Sequence, residues 1–194
     1  RVQHYAREQG RELTAGQLDQ IRDRKRVHYR QRALDGAIRI RPGVRRLLVE
    51  LGQQGIDQWI VTSSGRASVE ALFSGQPDLK AMFQGVVTAD DVSQGKPAPD
   101  LYREAQRRSG HRADSILAIE DSEAGFLSAQ AAGLRCVLTP SPWESSLAPM
   151  FDQAAAVFDH LGDVDQPMHQ CAGPSCAGSQ VTVEYLSSLF DGRE

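Results

Sequence analysis

Two adjacent carboxylates, Glu120-Asp121, follow directly on the apolar run Ile116-Leu117-Ala118-Ile119. Paired carboxylates at a strand end form a hard-oxygen site of the kind Mg²⁺ accepts. The competing explanation is that Asp121 or Ser122 caps the next helix, and the local pattern leaves both open. Lys96 stands in Gly95-Lys96-Pro97-Ala98-Pro99-Asp100, where two prolines restrict the backbone. An ammonium held in place can neutralise a phosphoryl group and a nearby carboxylate. A solvated loop lysine is the plain alternative, yet Lys25, Lys80 and Lys96 are the only lysines in the chain. Thr62-Ser63-Ser64-Gly65 offers hydroxyls and backbone N–H groups to an anion, although Ser and Gly also serve ordinary turns. The five histidines show no metal-ligand spacing, and Cys171-x₄-Cys176 lacks a second half. Gly-x-Ser-x-Gly, Gly-x-Gly-x-x-Gly and Walker motifs are absent from the sequence.

The elements that must position these groups are legible from periodicity. Residues 1–34 read as helical, with a break at Gly10, a Thr14 cap and a longer run from Ala15 to Leu34. Apolar residues are sparse there (Leu18, Ile21, Val27, Tyr29, Leu34), which predicts a thin helical layer rather than a core. Asp35-Gly36 signals a turn. A helix is expected to start at Pro42 and bury Val44, Leu47, Leu48 and Leu51. Strands are expected over 58–62, 85–88, 116–119 and 136–139, with Ala155 to Phe158 as an edge strand. Helices are expected between them, over 67–73, about 100–108 and up to about 132, and a closing helix over 181–190. Residues 166–179 read as loop. Short apolar runs alternating with helices of this length mean βαβ units, an α/β fold with a mostly parallel sheet. Such sheets gather function at the carboxyl ends of their strands, which is where Thr62, Ser63, Glu120 and Asp121 fall.

The 194 residues suit one domain, or one with a small appendage. Charge is uneven: residues 1–46 carry 13 Arg and Lys against five Asp and Glu, whereas the whole chain has a net charge of -3. Arginine's planar fork suits phosphate, while solvated helix faces are the plainer explanation of the basic stretch. Aromatic residues do not interleave with the charges, which argues against nucleic acid as a partner. Apolar runs are all far shorter than the ~18 residues a membrane helix needs, and Arg1 to Ala6 lacks a signal-peptide pattern. Three cysteines form no disulfide framework, which predicts a reducing compartment, the cytoplasm or an organelle stroma.

In order along the chain, Trp59-Ile60-Val61-Thr62-Ser63-Ser64, Gly95-Lys96-Pro97-Ala98-Pro99-Asp100 and Ile119-Glu120-Asp121-Ser122-Glu123-Ala124-Gly125 resemble motifs II, III and IV of the haloacid dehalogenase superfamily. The stretch Ile38-Arg39-Ile40-Arg41-Pro42-Gly43-Val44 is similar to the cap exit of its β-phosphoglucomutase and CbbY-like branch. The resemblance implies a Rossmann-like core over 39–165, the C-terminal part of a helical cap over 1–38, and a loop and closing helix over 166–194. It implies that Thr62, with Ser63 and Ser64 beside it, binds the substrate phosphoryl group. By the same resemblance Lys96 neutralises the nucleophile and that phosphoryl group, Asp121 and Glu120 hold Mg²⁺, and Arg1 touches substrate. The implied activity is a Mg²⁺-dependent phosphatase of small phosphorylated sugars, such as a pentose bisphosphate, working through an aspartyl phosphate. A phosphoglucomutase-like transferase is the enzymatic rival, and a non-catalytic binding domain the other. The implied protein is a monomer when complete, with neither nucleic acid nor membrane as partner.

The family's motif I, an Asp-x-Asp-Gly-Thr strand end that holds the nucleophile, has no counterpart here. Asp19, Asp23 and Asp35 follow no apolar strand and cannot replace it. The resemblance places that strand between those of motifs II and IV and ahead of the cap, so the expectation is a fragment of a longer protein. With neighbouring strands ~4.8 Å apart, omitting one leaves the flanking strands roughly 9.6 Å apart and unpaired. Alone, the chain is expected to be inactive.

Overall fold

The computed structural model describes Ala6, residues 9–141 and residues 145–191. Its helices, in chain order, are α1 (Ala15–Leu34), α2 (Val44–Gln53), α3 (Arg66–Gly75), α4 (Pro77–Lys80), α5 (Asp100–Ser109), α6 (Glu123–Ala131) and α7 (Val183–Asp191). The strands are β1 (Trp59–Val61), β2 (Gly85–Val87), β3 (Leu117–Glu120), β4 (Arg135–Leu138), β5 (Ala156–Phe158) and β6 (Gln170–Ala172). The chain divides into two units, residues 1–38 with 66–80, and residues 39–65 with 81–194.

In the first unit, α1 begins where the sequence places it. The Thr14 hydroxyl accepts from the Gln17 amide at 3.3 Å, and the Gln17 side chain accepts from the Thr14 amide at 2.9 Å, a reciprocal capping box. Within α1 only Leu18 and Ala33 are buried, as the sparse apolar pattern predicts. Ala33 meets α3 at backbone distance, since a Cβ on Gly75 would stand 1.8 Å from the Ala33 carbonyl oxygen.

The second unit carries the sheets. β1 pairs in parallel with β2, and a separate sheet runs β3-β4-β5-β6. β3-β4 and β4-β5 are parallel, while β6 returns antiparallel on β5. Alternation along β4 and β5 builds two core layers: Val137, Ala156 and Phe158 pack with Leu47, Leu161, Val181 and Leu186. Cys136, Leu138 and Val157 pack with Phe126, Ala129 and Leu147. Fully burying a side chain such as Phe158 contributes ~1.5–3 kcal/mol, so β4 and β5 anchor this unit.

Three details correct the sequence reading. β5 is an interior strand, not an edge, because β6 forms within the segment read as loop. Gln170-Cys171-Ala172 has no β-branched or aromatic residue to announce a strand. α2 starts at Val44 rather than Pro42, because Gly43 turns the chain with φ 79° before the helix. A Cβ there would lie 2.3 Å from the Gly162 carbonyl oxygen, so glycine is required at that position on two counts.

The two sheets of this unit are separate. β1 has a strand partner only in β2, and β3 only in β4, among the described residues. Ile119, on β3, is 38% exposed, although strands of parallel sheets are ordinarily covered on both faces. Among the described residues, no helix is long and apolar enough to cross a membrane.

Candidate active site

Strand geometry brings three of the candidate segments to one place. Lys96 donates from Nζ to the carbonyl oxygen of Val61 at 2.9 Å, at the carboxyl end of β1. The same ammonium donates to Oε1 of Glu120, at the carboxyl end of β3. Lys96 and Glu120 are 9% and 8% exposed, so this is a buried ion pair. The Tyr102 hydroxyl, on α5, donates to the same Oε1, and the Lys96 Nζ lies 4.9 Å from the centre of the Tyr102 ring. A cation over an aromatic face is favourable, more so when desolvated. Burial, and then the charge of Glu120, push the Tyr102 phenol well above its ordinary range, so it remains a donor.

Tyr102 is the residue of this cluster that the sequence does not single out. It occupies an apolar position of α5, and its hydroxyl finds a partner 18 residues away; no local spacing signals that contact.

Glu120 is fixed from the other side as well. A Cβ on Gly125 would lie 1.9 Å from its Oε2, so the carboxylate rests against the first turn of α6. Gly125→Ala therefore drives Glu120 off its two donors. It is expected to destabilise the fold by about 1–3 kcal/mol, the range for overpacking a tight interior. Urea unfolding checks this.

Asp121 differs in every respect. It is exposed. Its main-chain oxygen accepts from the Ser141 amide at 3.3 Å, and its carboxylate has no hydrogen-bond or ion-pair partner among the described residues. Ser122, not Asp121, caps α6, accepting from the Gly125 amide at 3.3 Å. This removes the capping explanation for Asp121. Thr62 follows Val61, donates its amide to the Val87 oxygen at 2.9 Å, and accepts at Oγ1 from the Ser64 amide at 3.0 Å. Ser63 and Ser64 are exposed beside it. Arg1 lies outside the described residues.

Whether these groups suit Mg²⁺ follows from their commitments. Glu120 is engaged by Lys96 and Tyr102, so Asp121 is the open hard-oxygen donor of the pair. Among the described residues, no group of three or more His, Cys, Asp or Glu could hold a metal ion. Mg²⁺ keeps several waters and takes one or two protein carboxylates beside substrate phosphate. The residues therefore fit one side of such a site.

Residues 3–139 match the family described as haloacid dehalogenase-like hydrolase. The chain belongs to that family. Among its relatives, protein CbbY of Cupriavidus necator is 36% identical over 155 residues, which are 79% of this chain and 60% of that protein. Protein CbbY of Rhodobacter capsulatus is 39% identical over 121 residues, 61% of this chain and 53% of the relative. The crystal structure of a mutant CbbY from Rhodobacter sphaeroides in complex with xylulose-(1,5)bisphosphate aligns with a TM-score of 0.67 at 28% identity. That alignment covers 79% of this chain and 70% of that one. These likenesses place the chain in the CbbY-like branch of the haloacid dehalogenase-like hydrolases, with its Rossmann-like α/β fold. The chain spans between half and two thirds of the length of these two curated relatives.

Proposed function

We propose that this chain forms the larger part of a Mg²⁺-dependent phosphatase acting on small phosphorylated sugars, a pentose bisphosphate being the candidate class. The observation that carries the reading is the convergence of Lys96 on Val61 and Glu120, with Asp121 and Thr62 each one residue further on. The xylulose bisphosphate bound by the Rhodobacter sphaeroides CbbY supports the substrate class.

In this reading Thr62 and the Ser63 amide bind the phosphoryl oxygens, with the Ser64 side chain beside them, and Lys96 offsets their charge. Asp121 holds the metal, and Glu120 keeps Lys96 aimed. The metal, when bound, lowers the electrostatic cost of bringing an anionic nucleophile to an anionic phosphoryl group. The nucleophile is an aspartate on a strand outside these residues, which pairs with the edges of β1 and β3 that have no strand partner among the described residues. Its carboxylate oxygen attacks phosphorus, the sugar oxygen leaves, and water then hydrolyses the aspartyl phosphate. The 194 residues alone are inactive in this account.

The test is Asp121→Ala in the protein carrying that strand. Phosphate release from a pentose bisphosphate is expected to fall by about 10²–10³-fold, the loss typical of removing one charge-stabilising group. The melting temperature should hardly move, because exposed substitutions ordinarily stay within ~0.5 kcal/mol. Near-normal Mg²⁺-dependent turnover would overturn the assignment.

A further inference from the structure

Arg41 precedes α2 and lies far in sequence from the groups it meets. Its Nη1 donates to the Thr139 carbonyl oxygen at 2.5 Å and to Thr139 Oγ1 at 3.4 Å. Its Nη2 donates to the Pro140 oxygen at 3.1 Å and to the Asp159 main-chain oxygen. One guanidinium thus ties the carboxyl end of β4 to the carboxyl end of β5. Among the described residues its hydrogen-bond partners include no carboxylate. A nearby arginine, Arg46, pairs with Glu50 and fastens Leu161, Gly162 and Val181, a scaffold role. Arg41 instead holds the segment that touches the acidic pair. The Thr139 amide donates to the Glu120 oxygen at 2.7 Å, and the Ser141 amide to the Asp121 oxygen at 3.3 Å.

We infer that Arg41 is a positioning residue for the Glu120-Asp121 strand end, acting through residues 139–141. Its planar fork is what the task needs. It spans carbonyl oxygens of two strand ends at once, which a lysine's single ammonium cannot do in the same geometry. The catalytic part of this inference rests on the phosphatase reading above; the mechanical part does not.

Two measurements separate those parts. In the first, amide hydrogen exchange is followed in the 194-residue chain and its Arg41→Gln and Arg41→Lys variants. Arg41→Gln is expected to speed exchange at Thr139 and Ser141 by about tenfold or more while Val137 and Leu138 stay protected, with Arg41→Lys intermediate; such selectivity marks local opening rather than global loss. Unchanged exchange at Thr139 and Ser141, or one common factor at every slow amide, would overturn the inference. In the second, the strand-bearing enzyme is assayed. Arg41→Gln is expected to lower kcat by about 10–100-fold, the usual effect of losing a group that orients a metal ligand, with KM changed less than threefold. An effect on KM alone would overturn the positioning role. A wild-type enzyme without phosphatase activity would count against the functional reading, and the exchange data would still decide on the clamp.

Discussion

Lys96→Met is expected to lower the stability of this chain by about 3–5 kcal/mol, the cost of breaking a buried ion pair by removing one partner. Both side chains are more than nine-tenths buried, so the Glu120 charge would be left with the Tyr102 hydroxyl as its donor among the described residues. A typical domain has 5–15 kcal/mol in total, which makes this change severe. The double variant Lys96→Met/Glu120→Gln should recover much of the loss, because no unpaired charge then remains. Urea unfolding of the two single variants and the double variant measures the coupling directly. A Lys96→Met variant within 1 kcal/mol of wild type would show that the pair is not buried as described. Loss of activity in a Lys96 variant consequently needs a stability control, whereas loss in an Asp121 variant does not.

The second large effect concerns the split sheet. An extended apolar strand ending in Asp-x-Asp, supplied as a peptide or joined ahead of residue 1, is expected to bind between β1 and β3. Each hydrogen bond gained contributes a net ~0.5–1.5 kcal/mol. Roughly five of them, with burial of Ile119, amount to several kcal/mol. The expected signs are a raised melting temperature, slowed amide exchange along β1 and β3, and loss of the Ile119 exposure now standing at 38%. The same strand with its carboxyl-terminal aspartates replaced by asparagine should still bind, because the ladder supplies most of the affinity, yet give no turnover. Absence of saturable binding, with β1 and β3 amides unaffected, would contradict the account.

Much of this was legible in the chain because the informative residues act locally. Thr14 and Gln17 cap α1 across three residues, and apolar runs of four residues end at Glu120-Asp121 as strand grammar requires. The segments around Thr62, Lys96 and Asp121 are contiguous, so their resemblance to the family's motifs shows in the sequence, although each local pattern by itself leaves a plain alternative open. What stayed illegible acts at long range. Arg41 reaches Thr139 across 98 residues, and nothing near Arg41 distinguishes it from Arg39 or Arg45. β6 exists because β5 offers a hydrogen-bonding edge, not because Gln170-Cys171-Ala172 favours a strand. The contrast between a buried Glu120 and an exposed Asp121 depends on Tyr102 and Gly125, which close on the first carboxylate only.

The most direct measurement is phosphate release from a pentose bisphosphate, comparing the 194-residue chain alone with the chain plus the Asp-x-Asp strand, each with Mg²⁺ and with EDTA. The expected result is no release by the chain alone, turnover once the strand is present, and loss of that turnover in EDTA. Turnover by the chain alone, or none from a complex shown to have formed, would contradict it.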